Sequence, residues 1–282
     1  MTRRFFPTVV LAALTLSLTG VVAATQDAVS VSPEAYRLEF ENAWVKVVRV
    51  TYGPNAEIAP HLHTARASAY VYLNDGGPIL FKHEGLPYAG VTRPPTKAGS
   101  FRVYKGLNEV HSVENPTTTP SEFLRVEFQT EPLEDASLKG KFFRDEAALS
   151  ETIERTQFEN AQVRITRVRV LAGDSLDLAT GDLATGGGQP ALLVALTAAG
   201  IAAPTSAVAR LVDAGKTVWL DAGRSFGIRP VGVPAEVLRF DFKTAPMEVS
   251  SIARPLAEAE VVGSRGAGGG NRTHTPFWGT RF

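Results

Sequence analysis

The chain has 282 residues, of which 44% are hydrophobic and 21% are charged, and its 29 basic residues balance its 29 acidic ones. This composition predicts a globular protein of one large or two ordinary domains, and the lack of a basic patch or stripe argues against nucleic acid as a partner. Because the sequence contains no cysteine, disulfides, thiolate metal sites and a cysteine nucleophile are excluded.

The N-terminal residues 1–24 have the pattern of a secretory signal peptide. Arg3 and Arg4 form a positive start, an apolar stretch follows over 9–18, and Ala23 or Ala24 offers a small residue for cleavage. A membrane anchor is the alternative, but the apolar stretch is short for a span and is interrupted by Thr and Gly. The pattern therefore predicts a periplasmic or extracellular protein with no stable membrane span after cleavage.

The most informative motif is His61-Leu62-His63. Side chains alternate across an extended strand, so histidines at i and i+2 face the same side and can both bind one metal ion. A third candidate ligand, His111, follows later, and the whole chain has only five histidines. The alternative is a decayed site in which the histidines only hydrogen-bond inside the protein.

Polar residues near this motif have simpler predicted roles. His83 is expected to be a solvated turn residue. Glu57 and Glu109 flank the histidine segments and are expected to be solvated, although either is able to replace a carboxylate ligand. Four residues on nearby strands are expected to pack in the core: Tyr70, Tyr72, Arg102 and Tyr104. Arg102 and Tyr104 share a face of their strand, and contact with a substrate is the alternative role for these two.

The chain contains an internal repeat. Residues 40–50 align without gaps with 158–168, and 120–130 align with 234–244 at nearly the same offset. Between these blocks, Ala98-Gly99 corresponds to Ala214-Gly215. Three matches in the same order imply a duplicated unit of about a hundred residues.

The repeated blocks have the pattern of strands. Leu124, Val126 and Phe128 alternate with Arg125 and Glu127, which predicts a half-buried antiparallel strand, and the second copy has the same pattern. The opening strands switch apolar faces midway at matching places, which predicts a β-bulge in each copy. Turn residues recur throughout, so the predicted class is all-β, with one helix over 144–155 in a linker.

The first unit resembles the cupin superfamily. Gly53, His61, His63 and Gly76 match the family's first motif, although its glutamate position falls at Ala67 or Ser68 and the spacing after Gly53 is longer. Five residues lie in the register of the second motif: Gly99, Gly106, Asn108, His111 and Asn115. Gly106 stands where the family has proline, and Asn108 replaces a glycine. Because Asn tolerates positive φ, Asn108 is expected to make the same turn.

The resemblance implies a bicupin, that is, two tandem antiparallel jelly-roll barrels. The implied divisions are a first cupin domain over 31–130, a linker over 131–156 and a degenerate second cupin domain over 157–250. To these the residue patterns add the signal over 1–24 and a Gly-rich and Arg-rich tail over 251–282 that is expected to be disordered. The resemblance also implies that His61, His63 and His111 bind a divalent transition metal (Fe, Mn, Zn, Ni or Cu), as in the family's three-histidine members such as the thiol dioxygenases. The second copy lacks histidine and implies no metal site, since Ala179, Gly181 and Ser225 fall near the ligand positions.

Two classes of function remain open. The first is an exported metal-dependent dioxygenase, isomerase or decarboxylase that acts on a small organic acid. Three neutral ligands leave the +2 charge uncompensated, which favours an anionic small molecule. The second is a non-catalytic binding or structural protein with a decayed site, in which the second barrel covers sheet edges of the first. A homodimer is compatible with both.

Overall fold

The computed structural model describes residues 27–85, 90–132, 139–142, 150–180, 188–203, 206 and 208–247. Apart from a four-residue helix, α1 (Ala28–Val31), the named elements in these ranges are β-strands. No helix in these ranges has the length and apolar character needed to cross a membrane. The predicted signal at 1–24 and the predicted tail at 251–282 lie outside the described residues.

The first half of the chain forms two antiparallel sheets. Its strands are β1 (Tyr36–Glu41), β2 (Val45–Tyr52), β3 (Glu57–His63), β4 (Ser68–Tyr72), β5 (Ile79–Glu84), β6 (Gly90–Arg93), β7 (Phe101–Tyr104), β8 (Glu109–Glu114), β9 (Ser121–Phe128) and β10 (Lys139–Phe142). One sheet has the order β1-β2-β9-β4-β7-β10, and the other has the order β3-β8-β5-β6.

The second half repeats this arrangement. Its strands are β11 (Ile153–Glu159), β12 (Val163–Val170), β13 (Leu176–Ala179), β14 (Ala191–Ala195), β15 (Ala199–Ala202), β16 (Arg210–Val212), β17 (Thr217–Leu220), β18 (Ser225–Pro230) and β19 (Ala235–Phe242). The sheet orders are β11-β12-β19-β14-β17 and β13-β18-β15-β16. The predicted fold class, two tandem antiparallel jelly-roll barrels, is confirmed.

The described residues form three apolar clusters, and the largest lies between the barrels. Leu124, Val126 and Phe128 of β9 contribute one side, and the equivalent strand β19 contributes Leu238, Phe240 and Phe242. The Phe128 ring centroid is 6.4 Å from that of Phe240 and 6.1 Å from that of Phe242. The two smaller clusters fill the barrel interiors. The second barrel therefore covers an apolar sheet face of the first, because that face would otherwise be exposed to water.

The prediction that β9 is half buried is wrong. All its residues except Glu122 are buried, including Arg125 at 5% and Glu127 at 8% exposure. The apolar residues face the other barrel and the charged residues face the barrel interior. Periodicity reveals two different faces of a strand, but it cannot say that the polar face is the one pointing into a barrel.

The predicted face switch in the opening strands has a related cause. Val45 and Val47 of β2 lie in the cluster between the barrels, whereas Val48 and Val50 lie in the interior cluster. Both faces of β2 are thus buried along part of its length. A register shift does occur at matching places in the two copies, but on the neighbouring strands, between residues 38 and 40 of β1 and between residues 156 and 158 of β11.

The predicted linker helix is wrong at its C-terminal end. Residues 153–155 belong to β11, where Ile153 pairs with Arg169 and Arg155 pairs with Arg167 of β12. The ladder to β12 satisfies the backbone groups that a helix would have paired internally. Residues 144–149 of the predicted helix lie outside the described residues.

Two arginines related by the repeat tie the barrels together. Arg49 contacts Glu39 and Glu122 in its own barrel and donates to the carbonyl of Gly215 in the other, at 2.5 Å. Arg167 donates to Gly99 in the opposite direction, at 2.6 Å. Gly99 and Gly215 are the residues that the sequence alignment pairs, and both have φ of 75°. The contact is therefore reciprocal, as in a two-fold interface.

Candidate metal centre

Three imidazoles converge inside the first barrel. His61 lies directly opposite His111 in the β3–β8 ladder, after a register shift between Ile58 and His61. The ring centroids of His61, His63 and His111 are 4.8–4.9 Å apart, and one ligand atom from each lies within 4.8 Å of the others. The exposed fractions are 0%, 9% and 4%. The structure thus brings together the three residues that the sequence predicts as metal ligands.

The neighbours of His61 set the orientation of its ring. His61 Nδ1 lies 2.8 Å from the carbonyl oxygen of Ala59 and therefore donates its hydrogen there. Its Nε2 lone pair then faces the other rings, 3.0 Å from His63 Nε2 and 3.0 Å from the Tyr36 hydroxyl. A carbonyl that holds the far nitrogen is the usual way in which a protein presents a histidine to a metal.

Two observations fit a metal at this point. The Nε2 atoms of His61 and His63 lie 3.0 Å apart, which is close enough for both to bind one ion through bonds of about 2.1 Å. His111 Nε2 is buried and has no hydrogen-bond partner among the described residues. Buried polar nitrogens without partners are uncommon, so each one calls for an explanation. The donor set and its spacing are thus compatible with a divalent transition metal.

Burial keeps two of these histidines neutral. Desolvation lowers the pKa of His61 to about 4, with the charges of His111 and Arg125 acting in the same direction. Desolvation and the Arg125 charge hold the pKa of His63 well below its ordinary value. Neutral imidazole is the form that binds metals, so at neutral pH neither residue has to lose a proton first.

His83 and Glu109 lie beside this centre, and the prediction that both are solvated is wrong. His83 is in β5 opposite His111, its side chain is 7% exposed, and its Nε2 lies 3.5 Å from Glu109 Oε2. Glu109 Oε1 lies 3.4 Å from His111 Nδ1. Burial acts to raise the pKa of Glu109, but hydrogen bonding and charge from His111 and His83 outweigh it and lower the pKa. Alternation along β8 was the available signal, because Glu109 shares the inward face with His111.

Sequence reasoning also missed Arg125 as part of the centre. Its Nη1 donates to His63 Nδ1 and lies 3.4 Å from His63 Nε2. Its Nε is 3.2 Å from Glu127. Desolvation would lower the pKa of Arg125, but Glu127 and the surrounding tyrosines raise it, so the guanidinium stays charged. The signal was an arginine kept at the same place in both copies of the repeat, as Arg125 and Arg239.

Loop residues of the two motifs hold β3 and β8 in place. The positive φ lies at Gly106, at 76°, and not at Asn108 as predicted. A Cβ on Gly106 would lie 2.2 Å from the Arg66 carbonyl oxygen, so only glycine fits there. Asn108 instead accepts a hydrogen bond from Ala65 N at 2.8 Å, and the Asn115 side chain donates to Tyr52, Gly53 and Thr119 carbonyls.

The second barrel has an apolar pair at the equivalent step. In the β13–β18 ladder Leu176 lies opposite Ile228. Two residues further along, Leu178 lies opposite Phe226, and both are buried in the interior cluster. The same step in the first barrel leads from Ile58 and Val113 to His61 and His111. The second barrel therefore has packing where the first has imidazoles, one residue from the positions that the sequence alignment indicates.

Solved structures of low sequence identity share this fold. YhaK from Escherichia coli matches with a TM-score of 0.51 at 13% identity, over 78% of this chain and 98% of that one. AerE from Microcystis aeruginosa matches with a TM-score of 0.50 at 11% identity, over 74% and 97%. A cupin 2 conserved barrel domain protein from Leptotrichia buccalis has a TM-score of 0.46 at 12% identity, over 74% and 88%. No protein-family model and no curated protein matches the chain. The likeness to YhaK and AerE shows a shared fold and carries nothing about activity.

Proposed function

From this bicupin fold, we propose that the protein binds one divalent transition metal through His61, His63 and His111 and acts as a dioxygenase, isomerase or decarboxylase on a small organic acid. The observation that carries the proposal is the convergence of three buried imidazoles, one of which has an unpartnered Nε2. When bound, such an ion supplies Lewis-acid polarisation of substrate oxygens or chemistry with molecular oxygen. The N-terminal pattern supports export as the cellular context.

The chain's own residues would orient and neutralise the substrate. Arg125 places a buried positive charge beside the imidazoles, so a carboxylate is the substrate group that it favours. Glu109 is placed to accept a hydrogen bond from His111 Nδ1 and to hold that ring. The Tyr36 hydroxyl stays protonated, since burial and the neighbouring Tyr52 raise its pKa, and it lies 3.0 Å from His61 Nε2 as a donor toward the same space.

A specific contact favours a second candidate, a non-catalytic protein with a decayed site. Because Arg125 donates to His63 Nδ1, neutral His63 carries its hydrogen on Nε2 and can donate to His61 Nε2. Arg125, His63, His61 and the Ala59 carbonyl then form a hydrogen-bond relay that needs no ion. Metal binding requires Arg125 to release His63.

Metal content separates the two candidates. We expect the purified full-length protein to contain close to one equivalent of a transition metal by mass spectrometry, and the His111→Ala variant to lose it. Ser112→Ala is the matched control, because Ser112 is the next residue on β8 and faces the other side. We expect Arg125→Met to bind the metal more tightly, since it removes both the competing donor and a positive charge. A metal-free wild type that cannot be loaded would refute the proposal in favour of the relay.

A further inference from the structure

Arg93 is a buried cation that has no carboxylate partner among the described residues. It ends β6, is 4% exposed, and donates to Ser121 Oγ at 2.7 Å. Its guanidinium carbon lies 5.2 Å from the Phe123 ring centroid and 5.3 Å from that of Tyr72. Its Nε has no hydrogen-bond partner within the described part of the chain. A buried guanidinium is costly unless a counter-charge and acceptors are supplied.

Arg93 shares a cavity with a second arginine. The cavity measures about 60 Å³ and is lined by Tyr72, Arg93, Pro94, Pro95, Thr96, Ser100, Phe101 and Arg102. Arg102 stacks on Tyr70, 4.9 Å from its ring centroid, and its Nε is also without a hydrogen-bond partner among the described residues. The Thr96 hydroxyl likewise has no hydrogen-bond partner among the described residues. Among the described residues that line the space none is acidic, whereas two are arginines and one is a threonine.

The arginine cavity is separate from the histidine centre but adjoins it. It lies where β6 of one sheet and β7 of the other are joined by the segment 94–100. Phe81 contacts a residue of each, since its ring centroid is 6.0 Å from the Arg93 guanidinium carbon and 5.2 Å from the His111 ring. None of the three imidazoles lines the cavity.

We propose that the arginine cavity binds a small carboxylate, held between Arg93 and Arg102 with the Thr96 hydroxyl as a further donor. Planar guanidinium groups match the two oxygens of a carboxylate, and the ligand supplies the negative charge that the site lacks. The volume corresponds to roughly four water molecules, which suits an acetate-sized group and not a large anion. Binding here requires no metal, so the proposal is independent of the function proposed above.

The test is a titration of the full-length protein with acetate against chloride at constant ionic strength, read by thermal unfolding and by calorimetry. We expect saturable stabilisation by acetate only, with the same affinity before and after chelator treatment. Arg102→Gln should weaken acetate binding at least tenfold, and Thr96→Val should weaken it a few-fold while keeping both charges. Lys97→Gln is the matched control, because Lys97 is in the same segment, is 75% exposed and does not line the cavity.

The outcomes are distinguishable. Equal stabilisation by chloride, an unchanged affinity in both Arg102→Gln and Thr96→Val, or an equal loss in Lys97→Gln would overturn the carboxylate site. Loss of acetate binding after chelation would also overturn it, because the anion would then be bound at the histidine centre. Acetate binding to a protein that cannot be loaded with metal would leave this site standing and refute only the metal-dependent function. Near-UV circular dichroism checks that each variant is folded.

Discussion

The two barrels have the same strand order, apart from β10 at the edge of the first, but their interiors differ in polarity. In the first, β3 and β8 present His61 and His111 to the interior, whereas in the second the equivalent pair is Leu178 and Phe226. Their outer faces are alike, since β9 and β19 pack apolar side chains against each other. A duplicated fold thus keeps the face that binds the two copies together while its interior is free to change.

The largest effect is expected at the face that the barrels share. Phe128→Ala in the first barrel and Phe242→Ala in the second should each lower the free energy of unfolding by about 3–5 kcal/mol, because each leaves a cavity in the cluster between the barrels. Urea unfolding of each variant measures the loss. A large loss from only one of the two would show that the barrels do not depend equally on this contact.

A second pair of variants contrasts the two interiors. Phe226→Ala should cost about 3 kcal/mol through the cavity that it leaves in an apolar core. His111→Ala should cost the metal-free protein less, since it also removes an unpartnered buried nitrogen. Chemical unfolding in chelator compares them, and metal analysis of Phe226→Ala is the control, since its metal content should match the wild type. Equal losses would mean that the histidine centre is packed like the second core.

A pH comparison tests the reciprocal arginine contacts. Burial alone would raise the pKa of Glu39, but hydrogen bonds from Arg49 and Arg37 outweigh it and lower the pKa from 4.5 to about 2. A carboxyl with a lowered pKa contributes stability that is present above its unfolded pKa and is lost as the pH falls from about 4.5 through about 2. The residue that takes this place beside Arg167 is Gln157, which does not titrate.

Glu39→Gln should therefore make the first barrel resemble the second. We expect it to cost about 1–3 kcal/mol at neutral pH, the usual value of a charged hydrogen bond, and to reduce the loss of stability below pH 4.5. Unfolding temperatures of the wild type and the variant from pH 7 down to pH 2 provide the measurement. Parallel curves for the two proteins would contradict the role assigned to Glu39.

The smallest effect is expected at the glycines that receive the arginines. Gly215→Ala should cost about 1–2 kcal/mol, because its φ of 75° disfavours a side chain and its Cβ would lie 3.2 Å from Leu73 Cδ1. Gly99→Ala should cost a similar amount for the same backbone reason. Thermal unfolding measures both, and neutral substitutions would show that these turns relax without loss.

The sequence alone predicted a feature correctly where a pattern repeats along the chain or where a residue type is rare. The duplicated blocks predicted a repeated all-β unit, and the family resemblance made each unit a barrel. The alignment paired Gly99 with Gly215, but only the structure showed that each glycine accepts a hydrogen bond from an arginine of the other barrel. Three of only five histidines in strand-like spacing pointed to one centre. Their role as metal ligands stays a prediction. The environment of His83 could not be predicted, because its position opposite His111 depends on strands that are distant in sequence.

The order of residues along the chain determined the strands, the duplication and the loss of histidines from the second copy, because alternation and repetition are local properties. Only the tertiary structure decided which side of each strand is inside. It placed Arg125 and Glu127 in the first barrel and the apolar residues of β9 against the second. It also brought Arg93 and Arg102 to one cavity. The sequence of a strand does not say which of its two faces will be buried. That depends on which neighbouring sheet packs against it, and such packing joins residues that are far apart in the chain.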